Sequence, residues 1–285
     1  MSGRRQVERH RRSLAEIREI MNSMKTLAYM ETRKLAQALT AQRALTATIE
    51  LAAADFVAGF PEVAADAGTE REVFLLVGSE RGFCGDFNDS LARWMQAIDG
   101  VSGSSAAPLI IAIGHKLCSR LAADPRVSVA LDGAGVVEEV EGVLTRVVDA
   151  LVEMQSEFDA LGLTVVHHDT DSRDVVAREL LPAFGNLSVA APHADVSLLL
   201  NTPPGEFFVD LVNQYLFAAL NEIFCASLMA ENHQRANHLD SAIRHLDDEA
   251  VTLRRRSNAL RQEEIVEEIE VILLNAAGRA AGRPS

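Results

Sequence analysis

The 285-residue chain is poor in aromatic side chains, at 5% with a single tryptophan, and holds only three cysteines. Cys84, Cys118 and Cys225 stand far apart, which excludes both a disulfide framework and a zinc pattern and fits a reducing compartment. No stretch approaches the roughly 18 unbroken apolar residues of a membrane span. The opening MSGRRQVERHRRS is basic, but no apolar run follows it, so no secretory signal is expected. Helix breakers are missing from two long stretches. Neither glycine nor proline occurs between Gly3 and Gly59, or between Gly205 and Gly278.

What is present is a chain able to bury a core, with 48% hydrophobic and 24% charged residues. The net charge of −14 is unevenly spread: +5 over residues 1–50, −14 over 51–205 and −5 over 206–285. The basic start could face nucleic acid or an acidic protein surface. The acidic bulk argues against nucleic acid, which needs a positive footprint.

Residues 4 to about 57 read as one helix. Its apolar positions step by three and four: Val7, Leu14, Ile17, Met21, Met24, Ala28, Leu35, Ala38, Leu45, Ile49, Ala52 and Phe56. That spacing is a coiled-coil seam, with His10, Glu31 and Gln42 as polar interruptions. The helix would be about 80 Å long. Residues 205 to about 277 read as a second helix, about 110 Å long. Its seam runs from Leu211 through Leu239, Ile243 and Leu260, then slips at Ile265, Ile269 and Ile272 as a stutter would. Its first third is apolar nearly all round and should be covered on several sides.

Between them, EVFLLVG (72–78) and PLIIAIG (108–114) read as strands buried on both faces. RVSVAL (126–131), LTVVHH (163–168) and DVSLLL (195–200) are further strand candidates. Helical patterns at 88–98, 114–123 and 136–157 alternate with them, which argues a mostly parallel sheet with crossover helices. Each terminal helix has a narrow apolar stripe too long for this domain to cover. Pairing with each other, antiparallel, is the direct solution; the other is shorter helices, broken at unmarked points and folded onto the sheet. The expected fold is therefore α/β: an antiparallel coiled coil (1–58 and 205–285) with a Rossmann-like α/β domain (59–204) inserted.

Chemistry is sparse. VGSERGFCGDFN (77–88) lies between a strand and a helix, so its glycines invite a phosphate-loop reading. It lacks the G-K-[ST] ending, the G-x-G-x-x-G spacing and the G-x-S-x-G order, which favours a tight turn. His167, His168, Asp169, Asp171 and Asp174 are metal-ligand types, but neighbours on a strand point to opposite faces. A solvated strand end is the expected reading. Glu263, Glu264, Glu267 and Glu268 form a charged helix flank, and Arg254, Arg255 and Arg256 a solvated basic run. No nucleophile, base and orienter come together. No cofactor and no metal are expected, and the sequence does not read as an enzyme acting alone.

Three motifs resemble one family, the gamma subunit or central stalk of F-type ATP synthases, in the same order of helix, α/β domain and helix. EIMNSMKTLAYMETRKLAQ (19–37) is similar to the family's K-I-T-x-A-M-x-M-V-A-x-x-K-x-x-x-A-Q, with Ile20, Met24, Lys25 and Ala28 in register. SERGFCGDFN (79–88) resembles S-D-R-G-L-C-G-x-x-N through Arg81, Gly82, Cys84, Gly85 and Asn88. RQEEIVEEIEVILLNAAG (261–278) resembles R-Q-x-x-I-T-x-E-[IL]-x-E-I-x-x-G-A-A through Arg261, Gln262, Ile265, Glu268, Ile269, Ile272, Ala276 and Ala277. ENHQRANHL (231–239) weakly echoes a fourth motif, keeping Glu231 and Arg235.

The resemblance implies a rotor threading a ring of alternating alpha and beta subunits, on the cytoplasmic face of the bacterial inner membrane. Met24 would lie near an acidic beta-subunit loop, Lys25 and the Arg254–Arg256 run would add positive charge facing acidic loops, and Arg261, Gln262 and Glu268 would meet a beta-subunit loop. The α/β domain and the foot of the coil would seat on the ion-carrying ring and bind the epsilon subunit. Glu19 stands where the family has lysine, Leu27 where it has valine, Val266 where it has threonine, Val271 where it has glutamate and Asn275 where it has glycine. Such departures suit a divergent, second F-type ATPase of the kind some bacteria carry. A non-rotary coiled-coil scaffold with the same fold is the alternative.

Overall fold

The computed structural model describes residues 2–63, 69, 71–98, 108–156, 161–170, 174–184 and 199–281, with side chains for those between 3 and 273. In chain order these form helix α1 (Ser2–Gly59), strand β1 (Arg71–Val77), α2 (Phe87–Ile98), β2 (Leu109–Ile113), α3 (His115–Leu121), β3 (Val127–Leu131), a 3₁₀ turn (Val137–Glu139), α4 (Val140–Gln155), β4 (Leu161–His168), β5 (Val175–Leu181) and α5 (Pro204–Ala281). Both long helices are unbroken, as the missing breakers imply, and α5 starts on a proline, whose absent N–H costs nothing there.

The sheet has the order β3-β2-β1-β4-β5, with β1 to β4 parallel and β5 antiparallel to β4. The chain moves outward from β1 to β3, then returns to place β4 on the other side of β1. A right-handed crossover must then switch faces. Accordingly α2 and α3 pack with Phe74, Leu76, Ile110, Ala112 and Val166 on one face. Helix α4 packs with Val73, Leu75, Val77, Ile111 and Val165 on the other. The alternation along β1 is the two-residue period of a strand buried on both sides.

Contact density divides the chain into two compact units, residues 28–236 and residues 1–27 with 237–285. In the first, α1 contributes Leu35 and Leu39 to the α4 face, and α5 contributes Tyr215, Ala219, Leu220, Ile223 and Phe224. Phe56 of α1 stacks with Phe207 and Phe208 of α5. This is the many-sided cover that the apolar first third of α5 demands.

In the second unit α1 and α5 pair side by side. Arg4 bonds Glu264 at 2.7 Å, Arg18 bonds Asp247 at 2.6 Å and Lys25 bonds Asp240 at 3.0 Å. Partner numbers fall as α1 advances, so the pair is antiparallel. Val7 and Leu14 are buried on α1, and Leu239, Ile243 and Ser257 on α5.

The seam of α1 is corrected, one expected strand lies mostly outside the described residues, and one observed strand is not among those expected. The predicted strand 195–200 falls mostly outside the described residues, and Leu199 and Leu200 carry no strand. Among the described residues the fifth strand of the sheet is VVARELL, an edge strand whose Arg178 and Glu179 obscure its period and also blunt the open edge. In α1 the seam is right at Val7, Leu14, Ala28, Leu35 and Phe56. Beyond Leu35 it passes to Leu39, Thr46 and Ala53 rather than Ala38, Leu45 and Ala52. One four-residue step followed by heptads is a stutter, which rotates the buried face by one residue. Ile17, placed in the seam by spacing, is 43% exposed. Glu31 sits in the seam because its carboxylate accepts the Val137 N–H at 2.8 Å.

Leu14 and Ile17 therefore separate the two faces. Leu14→Asp should lower stability by about 2 kcal/mol or more, through an unpaired buried charge. Ile17→Asp should stay within about 0.5 kcal/mol. Urea melts of the full chain followed by circular dichroism check this; equal effects would mean that the seam is misplaced.

Candidate functional site

The parallel sheet reverses its order between β1 and β4, the crevice where open α/β sheets bind ligands. The turn after β1 lies there, and its shape follows from close packing. Gly114 has φ +101°, and a Cβ on it would lie 2.7 Å from the Gly78 carbonyl oxygen. A Cβ on Gly78 would meet Leu117 at 2.3 Å. Phe83 and Gly85 both take positive φ, 64° and 61°, folding the turn tightly. Asn88 ties it by accepting from the Ser79 N–H at 3.0 Å and donating to the Ser79 hydroxyl at 2.8 Å.

What fills this turn is α5. Ser227 donates to the Val77 carbonyl at 3.3 Å. Glu231, 2% exposed, accepts from the Arg81 N–H at 3.4 Å and pairs with Arg235. Arg235 spends its other donors on the Gly82 carbonyl at 3.1 Å, Asn232 at 2.8 Å and the Cys84 sulfur at 3.3 Å. Gln234 reaches Asp86 at 3.0 Å. Burial pushes the Glu231 carboxyl up, opposed by the Arg235 charge and hydrogen bond. Burial and the neighbouring Glu231 charge push the Cys84 thiol up to about 12. The turn is thus a clasp on α5, with the Ser79 and Arg81 amides and the Val77 and Gly82 carbonyls already bonded. Residue spacing gives the tight turn but not the clasp, because its partners lie about 150 residues away; only the weak fourth motif hints at Glu231 and Arg235.

The histidine pair is not a solvated strand end. His167 and His168 are both buried. The His168 ring stacks on Phe87 at 3.9 Å, with its Nε2 2.9 Å from the Phe87 carbonyl oxygen and 3.0 Å from the Ser90 hydroxyl. Burial holds His167 below the ordinary imidazole range. Asp171 lies outside the described residues, and among those described no group of three or more His, Cys, Asp and Glu residues is arranged to hold a metal.

The five partner-contact candidates all lie in the coil unit, in two places. Met24 is half-buried, and Lys25 gives its ammonium to Asp240. Hydrogen bonds from Lys25 and Arg244 hold Asp240 below the usual carboxylate range. Arg261, Gln262 and Glu268 are exposed. Asp240 and Arg261 are about 30 Å apart along the helix, so the two places are separate patches. Near the second, Ile265, Val266, Ile269 and Ile272 are 45–65% exposed. The Glu19 carboxylate, charge-reversed relative to the family, neighbours Arg18 at 3.3 Å.

The sequence model of the ATP synthase family, ATP-synt, matches residues 3–278. This chain belongs to the ATP synthase family. Within it the likeness is to the gamma subunit. The gamma chain of Clostridium beijerinckii is 22% identical, with 98% of this chain and 99% of that one covered. The mitochondrial gamma subunit of Yarrowia lipolytica is 23% identical over 96% of this chain and 91% of its own. In three dimensions a chain of the Euglena gracilis mitochondrial ATP synthase (OSCP/F1/c-ring, rotational state 3) superposes with a TM-score of 0.66 at 15% identity, covering 100% of this chain and 97% of that one. A chain of the Tetrahymena thermophila mitochondrial central stalk and c-ring gives 0.57 at 16% identity, covering 78% and 99%. For an ATP synthase chain of this kind, a strand end given over to gripping a helix is a structural use of the Rossmann crevice.

Two outcomes check the clasp. Arg235→Ala leaves the Glu231 charge buried and unpaired, so it should cost about 3–5 kcal/mol in a denaturant melt of the full chain. A loss under 1 kcal/mol would mean the pair is not clamped. At mildly alkaline pH a thiol raised this far holds little thiolate. Iodoacetamide should therefore label half-buried Cys118 first, and Cys84 about a hundredfold or more slower than after unfolding, by peptide mass mapping.

Proposed function

We propose that the chain is the central-stalk rotor subunit of an F-type ATP synthase, coupling ion flow across a membrane to ATP synthesis or hydrolysis at the beta subunits. The observation that carries this is the antiparallel pair of unbroken helices, in a chain whose family match spans nearly its whole length. A paired coil resists bending and twisting. Its surface differs from side to side, and contacts that differ between orientations are what shift a catalytic site between states. In this reading 1–58 and 205–285 are the shaft and 59–204 the seat.

The shaft meets the alpha and beta subunits of the head. Met24 and Lys25 contact one beta-subunit loop, and Arg261, Gln262 and Glu268 another; the exposure of the last three supports their part. The α/β domain seats on the ion-carrying ring and binds the epsilon subunit. A groove of about 1080 Å³ between α4, β4 and α5, with Val152, Val209 and Phe217 open on its walls, is the apolar surface available for that subunit. No helix described is long and apolar enough to cross a membrane. In this reading the chain is a peripheral part of the complex, on the cytoplasmic face of the bacterial inner membrane, without nucleic acid partners.

Co-expression with the alpha and beta subunits of the same cell should yield a six-plus-one head; a chain that never enters it is a scaffold. Changing Arg261, Gln262 and Glu268 together to Ala should leave assembly intact and shift stability by no more than about 0.5 kcal/mol. It should alter ATPase rate, or ion pumping per ATP hydrolysed, in the reconstituted complex. Wild-type values for both would remove these residues from the contact.

A further inference from the structure

The two long helices meet the α/β domain in the same way. Each sends one buried carboxylate to a backbone N–H at the carboxyl edge of the parallel sheet. Glu231 of α5 accepts from Arg81, in the turn after β1. Glu31 of α1 accepts from Val137 at 2.8 Å, where the 3₁₀ turn opens after β3. Each acid has a base one turn further along its own helix, Arg235 for Glu231 and Lys34 for Glu31. The Lys34 ammonium lies 3.6 Å from Glu31 and 2.9 Å from Glu138, so it too spans from α1 to the 3₁₀ turn.

Packing alone does not call for Glu31. It occupies a seam position between Ala28 and Leu35, both buried, where an apolar side chain would be buried more favourably. The 3₁₀ turn does not require it either. Val137 is half-buried and stands first in that turn, where an N–H has no partner within the helix and water can serve. What the bond adds is direction. Leu35 and Leu39 hold α1 on the α4 face through apolar contact, which follows area and has no preferred angle. A hydrogen bond weakens steeply as it is bent, so it resists the sliding or turning of α1 that apolar contact tolerates more easily.

We infer that Glu31 is a positioning residue for torque: its bond to Val137, backed by Lys34, makes α1 turn with the α/β domain, as Glu231 does for α5. This rests on the rotor reading. A shaft of two helices delivers its full torque to the domain only when both are fixed there. With α5 alone held, twist would be taken up as movement of α1 across the α4 face instead of being passed on.

Two substitutions remove the bond from opposite sides. Glu31→Leu removes the acceptor and gives the seam the apolar residue that its spacing asks for. Val137→Pro removes the donor at the first position of the turn, where proline is tolerated, and Val136 before it is already extended, at φ −143° and ψ 160°. Glu31→Gln keeps an acceptor oxygen and loses only the charge. In vesicles carrying the complex reconstituted with the head and membrane subunits of the same cell, all three variants should assemble and hydrolyse ATP at close to the wild-type rate. Ion pumping per ATP hydrolysed should fall about threefold with Leu and with Pro, no further with both together, and return with Gln. A role in packing alone would reverse the order, with Leu at least as good as the wild type. Hydrogen exchange on the free full chain reads the bond itself: the Val137 N–H should exchange about tenfold faster in Glu31→Leu than in the wild type. Equal exchange would mean that the tie does not form, whether or not the chain is a rotor. Slow wild-type exchange with unchanged pumping in both variants would overturn the torque role and leave the rotor reading intact. Leu and Pro variants that fail to assemble where Gln succeeds would make the bond a folding requirement, which also overturns it. A wild-type chain that never enters the head removes the rotor reading and the torque role together, with the exchange result unaffected.

Discussion

A 78-residue helix with a narrow apolar stripe has no place in a domain of this size unless something grips it at one end and something covers it at the other. Here both needs are met, by different physics. In residues 28–236 the grip is burial and one ion pair, Glu231 with Arg235, sealed under the turn after β1. In the coil unit the cover is a second helix, held by a thin seam and by pairs such as Arg18 with Asp247. Exposed pairs of that kind each contribute little. They set register and direction, while the seam supplies the association.

The clasp gives the order reversal of this Rossmann-like sheet a structural use. At the order reversal, amides following a strand would ordinarily point at a phosphate. Here the Arg81 N–H points at the Glu231 carboxylate. One anionic group has taken the place of another, except that this one belongs to the chain. A buried carboxylate needs its partner, and Arg235 supplies it with donors left over for Gly82 and Cys84. At the Arg81 N–H, helix anchoring uses a dipole of the kind that elsewhere binds a ligand.

Much of this was legible in the sequence where one physical signal dominated. Two-sided apolar runs marked β1 and β2, and missing breakers marked α1 and α5. Failures came where two demands met on one residue. Arg178 has an edge strand's place but the charge of a surface loop, because it bridges Glu50 and Glu222 on the two long helices. His167 and His168 have ligand chemistry, yet an aromatic stack and backbone acceptors use it internally. The one-residue turn of the seam after Leu35 has no breaker to announce it. The partner contacts are legible only through family motifs, since an exposed arginine or glutamine carries no mark of what it touches.

What a surface group of the coil can do depends on whether it stands on one side or is repeated around the axis. Arg261 and Glu268 are seven residues apart and return to nearly one face, with Gln262 about 100° away. A group on one side of a shaft is near a given neighbour in some orientations and far in others, so it adds energy differences between states. Groups spread around the shaft add nearly the same energy in every orientation and cannot discriminate states, however strongly they bind. Lys25 marks the boundary between the two. Its charge is already shared with Asp240, so any contact it makes outside the chain must compete with a partner it already has.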